Sequence, residues 1–263
     1  MPTSPNTTSP LAAKFQWQPN LWVLVFGLVF LPILVSLALW QYDRGQEKKL
    51  LLSDIESRMV AAPKNISAFS KTDLQALKPY TQIAFTATAD NTRPLLLDNQ
   101  TLQGKVGYRV AQVVQLEQSW ILVTRGWLPG SADRSQRPAV PSLTPGAQYV
   151  GRVAKPANHP LLNNAPLDED FPMRFNQLNI ESLSAQLDVP IAQWVELAPE
   201  SYGALAVQWA GVNVSPAKHF GYAIQWLCMA VALLVLLVFA NSNLAAVLRK
   251  KSPAKGGHTI TAK

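Results

Sequence analysis

The chain of 263 residues has one cysteine, Cys228, and three histidines, His159, His219 and His258. A single thiol excludes an internal disulfide framework and any CxxC pair that could carry copper or a redox relay. The histidines are far apart, and no GxSxG, HExxH or P-loop pattern occurs. With no nucleophile and base in a recognisable spacing, the sequence reads as a protein that is not an enzyme. Asp168-Glu169-Asp170 is acidic and near His159 in sequence, but its spacing fits no calcium loop and reads as a surface-loop tip. His258 reads as part of a disordered tail. The first 40 residues hold no arginine, so they do not resemble a mitochondrial presequence.

Charge is missing altogether from two stretches. Leu21 to Trp40 reads LWVLVFGLVFLPILVSLALW, and Phe220 to Ala240 reads FGYAIQWLCMAVALLVLLVFA. Each has the length that a helix needs to cross the hydrocarbon core of a bilayer. In water such helices would have no polar face to solvate. Pro32 is tolerable within a membrane helix and predicts a kink. The first run exceeds the apolar core of a signal peptide, and only Lys14 precedes it, so it reads as retained. Trp17, Trp22, Trp40, Tyr42, Tyr222 and Trp226 gather at the span edges, as an interfacial belt does.

The charges that are present set the orientation. All 16 acidic residues lie between Asp43 and Glu200, where basic residues nearly balance them. The tails carry Lys14, Arg249, Lys250, Lys251, Lys255 and Lys263 and no acid. Basic flanks stay on the cytoplasmic side. Arg44, Lys48 and Lys49 beyond the first span argue the other way, but the cluster after the second span outweighs them. The sequence pI of about 9.6 therefore belongs to the tails, which suit anionic lipid head groups and not nucleic acid. The expected organisation is a disordered cytoplasmic tail over 1–20, spans over 21–40 and 220–240, an extracytoplasmic domain over 41–219, and a basic cytoplasmic tail over 241–263. A bacterial inner membrane is the simplest host, with both termini cytoplasmic and the central domain periplasmic.

Within the central domain, Gln46 to Val60 continues the first span as a polar helix, and Thr72 to Lys78 predicts a helical turn. Tyr80 to Ala89 alternates apolar and polar residues as a half-buried strand does. Arg93 to Leu97 predicts a short strand ended by a turn at Asp98-Asn99. Gly107 to Leu116 and Ser119 to Trp127 predict a hairpin. Ala147 to Ala154, Gln193 to Leu197 and Ala206 to Val214 predict further strands, and Asn179 to Leu187 a helix. The proline-rich regions Leu128 to Pro145 and Lys155 to Pro172 read as loops. The fold class is thus a membrane protein, α+β, with two transmembrane helices flanking a β-rich domain. Its sheet is expected to be antiparallel or barrel-like, with a few short helices.

The span exits are where the residues point to a site. On a helix, His219, Tyr222, Ala223 and Trp226 share one face at the outer mouth of the second span. An ionisable group at that depth is costly unless paired. A neutral imidazole there can ligate haem iron, or it can serve as an interfacial residue that snorkels or bonds a lipid phosphate. Leu37, Trp40 and Arg44 share a face at the exit of the first span. Arg44 can cover the Trp40 ring, meet an anionic group such as a haem propionate, or act as a plain anchor.

Four blocks carry a resemblance. LALWQYDRGQEK at the first span's exit is similar to L-x-x-WQ-x-x-R-x-x-x-K, matched by Trp40, Gln41, Arg44 and Lys48. LLLDNQTLQGKVGYRV over 95–110 resembles an L-x-LDN…G…GY block. WILVTRGWLPG over 120–130 resembles a VNRGW strand, with Thr124 where Asn is usual. SPAKHFGYAIQW over 215–226 is similar to P-x-KH-x-x-YA-x-QW. In this order, between two spans, they resemble the Surfeit locus protein 1 family, which assists assembly of cytochrome c oxidase. The resemblance implies an assembly factor for a haem–copper oxidase that binds haem a and helps deliver it to the catalytic subunit. It implies His219 as the iron ligand, with Tyr222, Trp226, Trp40 and Arg44 around the haem. The implied partners are that catalytic subunit, haem a synthase and membrane lipid, with no nucleic acid. Arg125, Gly126 and Trp127 are expected to be structural. The alternatives are a scaffold that holds oxidase subunits without touching a cofactor, and an unrelated two-span envelope adaptor.

Overall fold

The structure is a computed structural model that describes residues 15–133, 135–155 and 164–251, the last three without their side chains. His159, His258, Lys14, Lys255, Lys263, the side chains of the 249–251 cluster and most of the tail expected over 1–20 lie outside the described residues. In chain order the elements are α1 (Leu21–Val60), β1 (Lys64–Asn65), α2 (Lys71–Gln75), β2 (Gln82–Thr86), β3 (Thr88–Ala89), β4 (Leu95–Leu102), β5 (Lys105–Gln115), β6 (Trp120–Pro129), β7 (Gln148–Val153), β8 (Met173–Phe175), α3 (Ile180–Leu187), β9 (Ile191–Leu197), α4 (Pro216–Ala240) and α5 (Leu244–Lys251). Two compact units result: Met1–Leu50 with Val214–Lys263, and Leu51–Asn213.

The first unit is a helix pair. α1 and α4 are both long and apolar enough to cross a membrane, and only 11% of each apolar stretch is buried. Apolar surface turned outward is what lipid rewards and a soluble core helix would not tolerate. α4 begins four residues before the uncharged run, because Pro216 is pre-organised for a helix's first turn. The two helices run antiparallel, with Gly27 against Leu237 and Gly45 against Phe220. A methyl on Gly27 would lie 2.4 Å from the Leu237 side chain, so small residues set the approach, as at membrane helix interfaces. Ala38, Ala223 and Ala230 are buried in the same seam. At one end the buried Asn241 ties the pair together. Gln18 N–H donates to its backbone carbonyl at 2.7 Å, and Asn20 N–H to its side-chain Oδ1 at 2.7 Å.

The second unit is built on one sheet of nine strands, ordered β1-β2-β7-β9-β6-β5-β4-β8, with β3 also paired to β5. Only Ala87 separates β2 from β3, so the ring β2–β7–β9–β6–β5–β3 returns to the strand it began on. The barrel-like expectation therefore holds, but the antiparallel one does not: β1–β2, β4–β8 and β6–β9 are parallel. The long connection from β6 to β9, with β7 and α3 within it, permits that crossover. Alternation along the strands sends Ile83, Phe85, Val114, Ile121, Val123, Tyr149, Val153, Val195 and Leu197 into one core. The other face of the same strands, through Ala111, Val113, Leu122, Ile191 and Trp194, packs with Leu183 of α3 and Phe175 of β8. α3 starts where the Asn179 side chain accepts from Ser182 N–H at 2.9 Å, and ends at Asp188 with a left-handed φ of 51°.

Three expectations shift. Asp98-Asn99 is not the end of a strand: β4 continues to Leu102 through an irregularity between Leu97 and Gln100, with Asn99 at φ 56°. Ala206 to Val214 forms no strand beyond a bridge between Ala206 and Trp127. Its groups bond outside a ladder instead: the Trp209 indole donates to the Leu197 carbonyl at 3.0 Å, and the Ala210 carbonyl accepts from Arg152. The tail expected from 241 opens with α5.

Candidate functional site

At the second end of the helix pair, His219 lies in the first turns of α4 and faces α1. Its Nδ1 is 2.9 Å from Gln41 Oε1. An amide oxygen can only accept, so the contact is an Nδ1–H donating to Gln41, and in a neutral ring this leaves the lone pair on Nε2. Such a hydrogen bond fixes the tautomer and the ring orientation, and raises the basicity of the other nitrogen toward a metal. Gln41 reaches this position because Ala38, Gln41 and Gly45 fall on one stripe of α1, the stripe that meets α4. Phe220 fills the space beside Gly45 and lies 5.8 Å from the Tyr42 ring.

The other expected residues surround this pair without joining it. Trp40 is 58% exposed and Tyr222 54%. Trp226 is half-buried and exposed Arg44 pairs with Glu47 at 2.5 Å. Arg44 does not cover Trp40: among the described residues the cation–π contacts are made by Arg152, over Tyr80 and Trp209. The reason is local, since Glu47 is one helical turn from Arg44 and offers a full opposite charge. The surface is therefore open, with one oriented imidazole half-buried in a helix seam and aromatic rings exposed on either side. These residues fit a haem: a nitrogen donor with a supporting carbonyl, flat apolar rings, and a guanidinium nearby in sequence. No group of three metal-ligating side chains occurs among the described residues. Asp168 of the acidic run is held by Arg174, Nη2 to Oδ1 at 2.8 Å.

The RGW block lies in β6. Arg125 is the extra residue of an irregularity against β5, and Gly126 follows at φ 118°. A Cβ on Gly126 would come 2.9 Å from the backbone of Ala206, so only glycine lets the 205–206 segment approach. Arg125 is buried inside the barrel. Its Nε donates to the Gly203 carbonyl at 2.8 Å, and its Nη1 to Gln112 Oε1 at 2.5 Å and to the Pro141 carbonyl. The Trp127 indole donates to the Gln100 carbonyl at 3.0 Å.

All four sequence blocks and both ends of this site fall within the match to a family model, the SURF1 family, over residues 28–231. The chain belongs to the SURF1 family. It is similar to a SURF1-like protein of Rickettsia felis (strain ATCC VR-1525 / URRWXCal2), 26% identical over 233 residues, covering 84% of this chain and 97% of that one. A SURF1-like protein of Rickettsia conorii (strain ATCC VR-613 / Malish 7) is 24% identical over 237 residues, covering 84% and 92%. The identity of this SURF1 family member as a Surfeit locus protein 1 relative was legible from its motifs.

Sequence reasoning missed Gln41 as the partner of His219, although it lay within the quoted WQ block. The signal was there in the small residues Ala38 and Gly45, which mark the helix-facing stripe of α1 and place Gln41 on it. Trp40 and Arg44 fall on a different stripe. The contacts that bring Arg109 of β5 and Arg152 of β7 to Glu196 of β9 were also missed. Lone charges in strands give no periodic signal, and only the register brings them together.

Proposed function

We propose that this chain is an assembly factor for a haem–copper cytochrome oxidase, which holds haem a as cargo at the α1–α4 seam and passes it to the catalytic subunit. Family membership supports the oxidase-assembly reading, through what the resemblance of the four motifs implies. The observation that carries the haem reading is the His219 Nδ1–Gln41 Oε1 contact of 2.9 Å. It presents Nε2 as a ligand with its tautomer set. A haem supplies the iron that this nitrogen ligates and a flat apolar face for Trp40, Tyr222 and Trp226. Arg44 would meet a propionate after leaving Glu47. An open surface with one protein ligand suits a carrier, because delivery demands release. Haem a synthase and the catalytic subunit are the proposed donor and acceptor. The protein lies in a bacterial inner membrane with both termini cytoplasmic and residues 41–219 periplasmic.

The test is the Soret difference spectrum of the detergent-purified chain from cells that make haem a. Wild type is expected to carry haem and His219→Ala to lose it. Equal haem in both would remove the ligand assignment. A chain that crosslinks to the catalytic subunit and never carries haem would leave a scaffold.

A further inference from the structure

A cavity of about 60 Å³ lies on the outer side of the barrel, among Gln100, Arg109, Thr124, Trp127, Glu196 and Trp209. Arg109 and Glu196 line it, and Arg152 meets the same carboxylate without lining the cavity. Arg152, almost fully buried, commits its Nε and Nη2 to the same Glu196 oxygen, Oε2, at 3.0 and 2.9 Å. Its guanidinium also stacks 4.3 Å from the Trp209 ring. Glu196 is thereby neutralised. Arg109 is left 3.9 Å from Glu196 Oε1, beyond hydrogen-bond reach. Among the described residues it donates no hydrogen bond, although its side chain is only 36% exposed. A guanidinium offers five donors in a planar fork. Here they border a cavity large enough for several waters or one small anionic group.

The surroundings narrow the class. The local charge of Arg109, Arg152 and Glu196 together is one positive in excess, which a monoanion balances, whereas a phosphate dianion would leave the cleft with a net negative charge. A planar carboxylate matches the fork of Arg109 and can lie beside the Trp127 indole, which pairs with Arg109 across β5 and β6. One wall of the cavity is the segment Ala206 to Trp209, which joins no strand beyond the bridge at Ala206. Among the described residues the backbone groups of Val207 and Gln208 form no hydrogen bond. An incoming chain in extended conformation can use them.

We propose that this cleft receives the carboxylate of an acidic side chain on a partner polypeptide, with Arg109 as the receiving group. The inference is independent of haem binding, since it concerns the barrel unit alone.

The experiment follows the indole N–H signals of Trp127 and Trp209 in the detergent-solubilised full chain. Probes are a capped peptide with one glutamate, its glutamine counterpart, acetate and inorganic phosphate. The glutamate peptide is expected to shift both signals saturably and the glutamine peptide to leave them in place. Arg109→Gln should weaken binding about tenfold, with Arg109→Lys between it and wild type. Circular dichroism confirms that both variants fold, as expected for a side chain that makes no internal hydrogen bond. The proposal fails if the glutamate peptide moves neither signal, or if Arg109→Gln binds it unchanged. It fails also if acetate saturates the site and the peptide does not, which would assign it to a free small acid, or if phosphate binds more tightly than either.

Discussion

Arg125 and Gln112 face each other inside the barrel, Nη1 donating to Oε1 at 2.5 Å, with no carboxylate pairing the guanidinium among the described residues. Burial pushes the Arg125 pKa below its ordinary value, and the neighbouring Tyr149 partly opposes that shift. The charge is held instead by the Gly203 and Pro141 carbonyls, which ties their loops to β6 beside the backbone bonds that Leu205 and Ala206 make to Arg125 and Trp127.

Replacing Arg125 with Met keeps much of the apolar stem but leaves the buried Gln112 oxygen without this donor and removes the bonds to the two partly buried carbonyls. The expected loss is about 3–5 kcal/mol. Chemical denaturation of the detergent-solubilised chain, followed by tryptophan fluorescence, measures it. A loss within 0.5 kcal/mol, the ordinary scatter of surface changes, would show that the loops do not depend on this residue.

Asp168 predicts an acid response. The hydrogen bond from Arg174 is the main cause that holds its carboxyl below the ordinary value of 3.8, ahead of the opposing effect of burial. Because the folded value is the lower one, the stabilisation is complete above 3.8 and is lost as pH falls through the folded value. Asp168→Asn should cost about 1–2 kcal/mol at neutral pH and lose less stability than wild type on acidification. Parallel pH–stability curves for the two proteins would contradict the assignment.

Gln41→Leu should leave His219 in place while removing the acceptor of its Nδ1–H. Haem retention is expected to drop roughly tenfold or more, the usual effect of losing a supporting hydrogen bond. Gln41→Glu, which keeps an acceptor, should restore most of it. Nitrogen NMR of the His219 ring in haem-free protein supplies a separate readout. Mixed tautomers in Gln41→Leu and one tautomer in wild type are expected.

Topology has its own test. A reporter inserted at the exposed Gly104 turn, where added atoms meet nothing within 4 Å, is expected outside the cytoplasm. One fused after Lys263 is expected inside it. Activity of both in one compartment would reverse the proposed orientation of one span.

Much of this architecture could be read from residue patterns. The uncharged runs, the β5–β6 hairpin and α3 all have dense local signals: absence of charge, strand alternation around Glu117-Gln118, and a capping Asn179. What escaped depends on register between distant segments. The three-residue β8 is too short to show a period, and Ala87 looks like any other strand residue until β2 and β3 are seen to pair with different neighbours. The same holds for the site. His219 stood out because an ionisable group at a span mouth is costly. Gln41 did not, because an amide beside a tryptophan at a membrane edge has many ordinary uses.

The bend at Ala87 has one more consequence. A sheet whose middle strands close on themselves offers neighbours almost no unpaired rim: the free ends of the strand order are β1 and β8, of two and three residues. Such stubs give a second copy too few rungs to zip onto. The domain therefore gives other chains little opportunity to join it by intermolecular strand pairing.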